Sequence, residues 1–241
     1  PMFNPLHESS KTSYAVTEHY DCQHGDNPIV TVLISDGWGR QIQVKKDAEI
    51  QVSAATLVSG NVVYDCFGRV TKQYHPFDRP PMDSTNMGYY YNNTNLPYTA
   101  TDFDLMDRQL KVELPTGETT SYAYDFGTLY GQQYFKTAVT DALGNTVTTL
   151  AGGFGQRLRV TMPGNTVTSF SYDPIGHLLN STDPDNIITY YHYDMLGQMI
   201  QREHPDAGTD SYIYDPAGNL IKHTNGLGDD IIYNYNYNQL T

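Results

Sequence analysis

Short runs of β-branched and aromatic residues, separated by turn residues, follow one another along most of the chain. Ile188–Tyr193 is such a run, and its composition predicts a β-strand. The segment 29–34 predicts another strand, and in 41–45 Ile42 and Val44 alternate with polar residues, which is the period of a half-buried strand. The pattern therefore predicts an all-β fold.

The second half of the chain repeats with a fixed period. The pairs beginning at Tyr172, Tyr193 and Tyr214 are spaced by 193 − 172 = 21 and 214 − 193 = 21 residues. Other residue types keep the same step: Gly155, Gly176, Gly197, Gly218, Pro163, Pro184 and Pro205. Several residue types in register at one period indicate a repeat protein in which each unit is one β-hairpin.

A tyrosine-aspartate turn begins each unit. The Asp carboxylate can accept backbone N–H groups two residues further on, and the following Gly adopts positive φ at little cost. A second turn, over 183–186 or 204–208, closes the hairpin. The residues that define the repeat are Tyr64, Asp65, Gly68, Tyr124, Asp125, Tyr172, Asp173, Gly176, Tyr193, Asp194, Gly197, Tyr214, Asp215 and Gly218.

The last aromatic pair of each strand should lie on one face, because alternate residues of a strand face the same side. We expect successive repeats to bring these rings together across the sheet as a stripe. The pairs are Tyr122/Tyr124, Phe170/Tyr172, Tyr191/Tyr193, Tyr212/Tyr214 and Tyr233/Tyr235. A long sheet must also twist, so we expect a curved antiparallel sheet of stacked hairpins, part of a spiral β-shell.

Insertions interrupt the first half of the array. The period predicts an entry region with irregular strands over 1–60 and a repeat array over 61–241. An insertion at about 77–94 is predicted to be a long loop. A second insertion of about six residues precedes the degenerate repeat at 151–155 and contains a turn at 141–144.

Composition excludes several classes of function. Tyr is unusually common, with 21 residues against Phe 8 and Trp 1, and the net charge is −13. With no basic cluster, the chain is not expected to bind nucleic acid. No run approaches the roughly 20 apolar residues of a membrane span. The two cysteines, Cys22 and Cys66, do not form a disulfide framework or a metal-binding spacing.

The aspartates are the only ordered series of ionisable groups. Calcium ligation or acid-base chemistry is one interpretation of Asp65, Asp104, Asp125, Asp173, Asp194 and Asp215. Turn capping is favoured, because calcium loops need several oxygen ligands in one short loop. His19, His24, His192 and His204 have no metal-ligand spacing, and no catalytic motif is present. We expect no enzyme activity, no metal and no cofactor.

At these repeats the sequence resembles the Rhs/YD-repeat family. The segments 64–70, 193–199 and 214–220 carry the resemblance, and 36–43 resembles the entry to the repeats in toxin-complex B subunits. The resemblance implies a hollow β-shell that encloses a toxin, or a teneurin-like adhesion shell. No position matches the family's autoproteolytic motif, so protease activity is not implied.

Two functions follow as the main hypotheses, and a hydrolase whose active site is not recognised is a third. The first is a structural segment of a shell that encloses or presents a toxin or other cargo polypeptide, in a secreted or cell-surface bacterial protein. The alternative is an extracellular adhesion module that binds glycans or proteins, with Tyr89, Tyr90 and Tyr91 as its binding surface. We also expect the chain to be a segment of a longer protein.

Overall fold

The computed structural model describes residues 13–20, 28–50, 53–83, 87–90, 95–236 and 239–240. Apart from one 3-10 turn at Pro163–Asn165, the regular structure of these residues is β-strand. The strands are β1 Ser13–His19, β2 Ile29–Ser35, β3 Gln41–Ile50, β4 Ser53–Ser59, β5 Val62–Tyr64, β6 Val70–Tyr74, β7 Phe77–Arg79, β8 Tyr98–Phe103, β9 Gln109–Glu113, β10 Thr119–Leu129, β11 Gln132–Thr140, β12 Thr146–Ala151, β13 Arg157–Met162, β14 Thr166–Tyr172, β15 Leu178–Thr182, β16 Ile188–Tyr193, β17 Met199–His204, β18 Gly208–Tyr214, β19 Leu220–Thr224, β20 Asp230–Ile232, β21 Tyr235–Asn236 and β22 Gln239–Leu240.

The chain divides into two compact units, 1–121 and 122–241. In the first unit, a five-stranded sheet has the order β1-β2-β3-β4-β7, which we call the entry sheet. Strands β5, β6, β8 and β9 and the start of β10 belong to a different sheet. The chain thus passes from the entry sheet to the other sheet between residues 59 and 62, whereas the boundary between the two compact units lies near residue 121. The division into an entry region and an array at residue 60 stays a prediction.

The core of the first unit lies on the entry sheet. Val32 and Ile34 of β2 are fully buried, and they cluster with Ile42 of β3. Val32 and Ile34 are alternate residues of β2 and so face the same side of the sheet, whereas Leu33 between them is 41% exposed. Ile42 lies at a register shift, because Ile34 pairs with Gln43 and Ser35 pairs with Gln41. Tyr89, from the insertion, completes the cluster and is 6% exposed.

The insertion is not simply the long loop that the period predicted. Its residues Phe77–Arg79 form β7, which pairs antiparallel with β4 through Phe77↔Val58 and Arg79↔Thr56. Strand β8 consequently pairs with β6, because the intervening β7 belongs to the other sheet. The loop interpretation was wrong for this segment, because the period of the array carries no information on pairing with the entry sheet.

In the second unit, strands β10 to β20 lie in the sheet in their order along the chain. Every pairing from β11 to β20 is antiparallel and joins consecutive strands. This order follows from short turns, since a strand joined by a tight turn pairs with its predecessor. The predicted all-β fold of stacked antiparallel hairpins is confirmed.

Candidate functional site at the inter-repeat turns

The tyrosine-aspartate turns have one recurring geometry, shown by Asp173. The Asp173 N–H donates to the carbonyl of His177 (2.9 Å), and the Gly176 N–H donates to the Asp173 carbonyl (3.1 Å). Asp173 Oδ1 accepts the N–H groups of Ile175 (3.0 Å) and His177 (2.8 Å). Gly176 has φ +100°. This is a three-residue hairpin loop that requires positive φ at its last position.

Non-glycine residues fill the positive-φ position in two turns of the same geometry. Asp107 (φ 62°) serves the turn of Asp104, and Asn186 (φ 63°) serves the turn of Asp183. Short polar side chains such as Asp and Asn tolerate this conformation better than other non-glycine residues. The loop also recurs at the first residues Asp36, Asp65, Leu114, Asp141, Gly152, Asp194, Asp215 and Asn225.

The residue four positions after the Asp adds a side-chain donor that the sequence analysis did not identify. Arg69 Nε donates to Asp65 Oδ2 at 2.7 Å, and Asn219 Nδ2 donates to Asp215 Oδ2 at 2.9 Å. The same bond is made by Arg40, Arg108, Asn145 and His177 to Asp36, Asp104, Asp141 and Asp173. A side chain with an N–H donor four residues after each Asp is the sequence signal that could have identified this hydrogen bond.

These hydrogen bonds stabilise the ionised carboxylates. Partial burial raises the pKa of Asp65, but the backbone and side-chain N–H groups of Arg69 outweigh it, so the net pKa lies below the ordinary 3.8. In Asp215 the Asn219 side chain is the largest cause of a lowered pKa. Carboxylates that accept several N–H groups keep their charge to lower pH. Asp65 and Asp215 therefore cap their turns as ionised carboxylates.

The same residue also contacts the aromatic ring of the next repeat. The Arg40 guanidinium lies 4.1 Å from the centre of the Tyr64 ring. The His177 ring stacks on the Tyr193 ring, with centroids 4.6 Å apart and planes 16° apart. Cation-π and stacking contacts of this kind each contribute about 0.5–1.5 kcal/mol. One side chain thus joins its own turn to the tyrosine of the following turn.

The tyrosine hydroxyl returns a hydrogen bond to the previous repeat. Tyr64 donates to the Gln41 carbonyl (3.1 Å), and Tyr214 donates to the Met199 carbonyl (2.9 Å). Each acceptor lies five residues after the Asp of the preceding turn. Burial, followed by the charge of nearby groups, raises the pKa of Tyr214. We call the Asp, the donor four residues on and the next Tyr together the inter-repeat lock.

The turn glycine packs closely against this lock. A Cβ atom on Gly197 would lie 2.8 Å from His177 Nε2, and one on Gly218 would lie 3.3 Å from Gln198 Nε2. Contacts below 3.0 Å require one partner to move. A Cβ at 197 would therefore strain the backbone and displace the His177 ring.

A β-bulge follows the tyrosine-aspartate turn and was not predicted. Tyr172 pairs with Leu178, whereas Ser171 pairs with Asn180, so Leu179 is an extra residue. The same shift occurs opposite Tyr193 and Tyr214. The extra residue explains why two apolar residues stand side by side after the turn, since a bulge interrupts strict alternation.

The described tyrosines of the predicted aromatic stripe are half-buried, and the stripe itself stays a prediction. Tyr191 and Tyr193 are half-buried while His192 between them is exposed. Burial and then the nearby Asp210 raise the pKa of Tyr212, and Tyr191 and Tyr233 contribute in the same direction. Tyrosines one period apart therefore lie within electrostatic reach. The Tyr212 ring itself stacks on His223 (4.8 Å, 5°), a partner that the period did not predict.

One of the predicted turns is absent. Tyr124 and Asp125 lie inside β10, and Asp125 Oδ1 accepts the adjacent Phe126 N–H (2.8 Å). The prediction of a repeat turn here was wrong because Gly127 follows Asp125 by two residues instead of three. The chain instead continues to a hairpin between β10 and β11.

The predicted tyrosine binding surface is not assembled. Tyr89 is buried in the core, and its hydroxyl donates to Asn61 Oδ1 at 2.9 Å. Tyr90 is half-buried, with the Arg79 guanidinium 3.7 Å from its ring centre. Tyr91 lies outside the described residues. The prediction that Tyr89 is a surface residue was wrong, because the insertion folds back onto the entry sheet.

The remaining candidate residues are the possible metal ligands and the two cysteines. No group of three or more His, Cys, Asp or Glu residues is placed to hold a metal ion among the residues that the structure describes. Cys66 is a free, exposed thiol, and Cys22 lies outside the described residues. What the recurring geometry does is hold one hairpin to the next.

Solved structures share this arrangement of hairpins. The crystal structure of TcdB2-TccC3 without its hypervariable C-terminal region matches 95% of this chain with a TM-score of 0.67 and 19% identity. TcdB2-TccC3 matches 93% with a TM-score of 0.65 and 20% identity. The Tc holotoxin pore of Photorhabdus luminescens matches 93% with a TM-score of 0.63 and 18% identity. The chain has the fold of a section of these toxin-complex chains.

The match covers a small part of each toxin-complex chain. This chain spans 13% of the length of each of the three. No family model matches the sequence, and no curated protein matches it. Among the described residues, no helix has the length and apolar character to cross a membrane. At this level of identity the toxin-complex likeness establishes the fold.

Proposed function

We propose that this chain is a structural segment of a toxin-complex shell that encloses or presents a toxin or other cargo polypeptide. The observation that carries the proposal is the fold shared with TcdB2-TccC3 chains over 93–95% of the chain. The cargo polypeptide is the partner, and the parent protein is secreted or displayed by a bacterium.

The inter-repeat lock is compatible with a structural role in an extended sheet. Ring contacts of Arg40 with Tyr64 and of His177 with Tyr193 join consecutive hairpins, and a sheet built from such neighbour contacts can be extended repeat by repeat. The carboxylates that resemble an acidic site are held in these turns. In this proposal the chain has no catalytic role.

The adhesion alternative has lost its main support. It depended on a surface formed by three consecutive tyrosines, and Tyr89 is 6% exposed while Arg79 covers the ring of Tyr90. No other observation in the described residues favours a glycan site over packing, so we do not retain it.

Limited proteolysis of the parent polypeptide, with mass spectrometry of the fragments, tests the proposal. A segment outside the repeats should survive protease while the array is intact. It should be degraded when the combined variant His177→Ala/Tyr193→Ala opens one lock. Asp185→Ala, at an exposed turn position, is the control and should leave the segment protected. Equal degradation in the intact protein and the lock variant would overturn the proposal.

A further inference from the structure

The insertion folds back over the entry sheet in two described pieces, 77–83 and 87–90, which we call the strap. Its first piece contains β7, paired with β4. Met82 and Met87 pack against the core cluster, and Tyr89 is part of it. The strap therefore adds both a strand and apolar cover to a sheet whose other strands precede it along the chain.

Three buried polar side chains hold the strap. Gln43 is fully buried; its Oε1 accepts the Tyr90 N–H (2.9 Å) and its Nε2 donates to the Tyr90 carbonyl (3.4 Å). Thr56, 1% exposed, donates to the Pro80 carbonyl (3.0 Å). Asn61, fully buried, accepts the Tyr89 hydroxyl (2.9 Å). Such groups are strongly destabilising when buried without partners.

Aromatic contacts also connect the two pieces of the strap. The Tyr90 ring contacts both the Phe77 ring (centroids 5.6 Å apart) and the Arg79 guanidinium (3.7 Å). These contacts join the two pieces of the strap, since residues 77–79 belong to the first and Tyr90 to the second.

We propose that the strap is a folding latch, which makes the entry sheet stable only once the strap has docked. Strands β1 to β4 end at Ser59, so they precede the strap along the chain. Without the strap, Val32, Ile34 and Ile42 lack the Tyr89 ring, and the side chains of Gln43 and Thr56 lose the partners described above. The latch ties the fold of the entry sheet to sequence that belongs to the array.

Hydrogen exchange of the full chain, followed by mass spectrometry, tests the latch. In Tyr89→Ala, protection of peptides from 29–59 should fall roughly 100-fold, as expected for loss of a buried aromatic side chain. In Gln43→Met, which keeps length but removes the hydrogen bonds, the fall should be about tenfold. Peptides from 157–224 should keep their protection in both variants. Tyr14→Ala is the matched control, because Tyr14 is in the entry sheet but 51% exposed.

Two results would overturn the proposal. In the first, protection of 29–59 stays within about twofold of the control in both strap variants, so the entry sheet folds without its latch. In the second, residues 157–224 lose protection together with 29–59, so the strap acts on the whole chain and is no local device. Tyr89→Phe, which keeps the ring and removes only its hydroxyl, should give a smaller loss than Tyr89→Ala confined to 29–59.

Discussion

The entry sheet and the array stabilise β-strands in different ways. Val32 and Ile34 of the entry sheet are completely buried, and the polar Gln43 beside them is buried too. In 157–224, all of which the structure describes, Asp210 is the one buried residue and the strands are mostly half-exposed. The entry sheet depends on a packed core, whereas this part of the array depends on repeated contacts between adjacent hairpins.

This difference has consequences for cooperativity. A core gathers residues that are distant in sequence, so loss of one large side chain affects every strand that contacts it. The inter-repeat lock involves only consecutive repeats, so a defect should stay near its own turn. The array can thus be lengthened by adding units, whereas a change at one core position of the entry sheet affects several of its strands.

Acid should give the largest difference in stability between the array and the entry sheet, because it acts on several turns at once. The pKa values of Asp141, Asp173 and Asp215 are lowered by their turn hydrogen bonds, which in Asp173 outweigh partial burial. A lowered folded-state pKa contributes stability that is present above the ordinary 3.8. That stability is lost as pH falls from there through the folded-state pKa. The entry sheet has a carboxylate of the same kind at Asp36, whose pKa is raised by partial burial but lowered on balance by the Arg40 hydrogen bonds. The array, however, has several such turns. We therefore expect acid to weaken the array more than the entry sheet.

Pepsin digestion between about pH 4 and pH 2, with identification of the first cleavage sites, measures this order. The first cuts should fall within 140–224. First cuts within 29–59 would show that the turns of the array do not limit its stability in acid.

Removing a core side chain should give the next largest effect, confined to the entry sheet. Ile34→Ala deletes part of a completely buried side chain and should lower the free energy of unfolding of the entry sheet by about 2–5 kcal/mol. Urea denaturation with regional hydrogen exchange measures the loss. Ile231→Ala, at a 48% exposed position of the array, is the control and should change stability by less than about 0.5 kcal/mol.

Glycine substitutions should separate the stability lost through backbone strain from the stability lost when the lock is disturbed. Gly197 and Gly144 have similar φ values, +80° and +83°, so alanine should destabilise either turn by about 1–2 kcal/mol. At 197 the new Cβ must also displace His177 from Tyr193, whereas at 144 it meets open space. Gly197→Ala should therefore be worse by about 0.5–1.5 kcal/mol in urea denaturation. Equal losses would mean that the ring contact adds nothing.

Removing a single hydroxyl should give the smallest effect. Tyr214→Phe deletes the donor to the Met199 carbonyl and should lower stability by about 0.5–1.5 kcal/mol. Tyr190→Phe, at a 44% exposed position of the array, provides the comparison in the same urea series. If both variants lose the same amount, the hydroxyl contact is not part of the lock.

The sequence alone predicted those strands and turns that are determined by residues close together in the chain. The strand at Ile188–Tyr193 follows the predicted bounds, and the Asp173 turn forms the predicted bonds to its own backbone. Such features depend on neighbouring residues and on alternation. The all-β stacking followed because a 21-residue period leaves room for one hairpin per unit.

Contacts between distant residues could not be predicted in the same way. The donor four residues after the Asp changes from Arg69 to Asn145 to His177, so residue identity alone conceals a shared hydrogen bond. The partner of Tyr89 lies 28 residues away at Asn61, and no period connects them. The bulge at Leu179 is a feature of the pairing between β14 and β15, which the sequence of one strand does not show.

Deletion of residues 194–214, one full period, tests most directly whether the array is held by contacts between consecutive hairpins. The deletion joins Tyr193 to Asp215 and so preserves the Tyr-Asp turn, while the His177 contact with Tyr193 is untouched. Hydrogen exchange should show that 157–182 keeps its protection within about threefold, because these hairpins retain their own locks. A loss of about 100-fold or more across 157–182 would show that the array folds around a shared core, and would contradict this account.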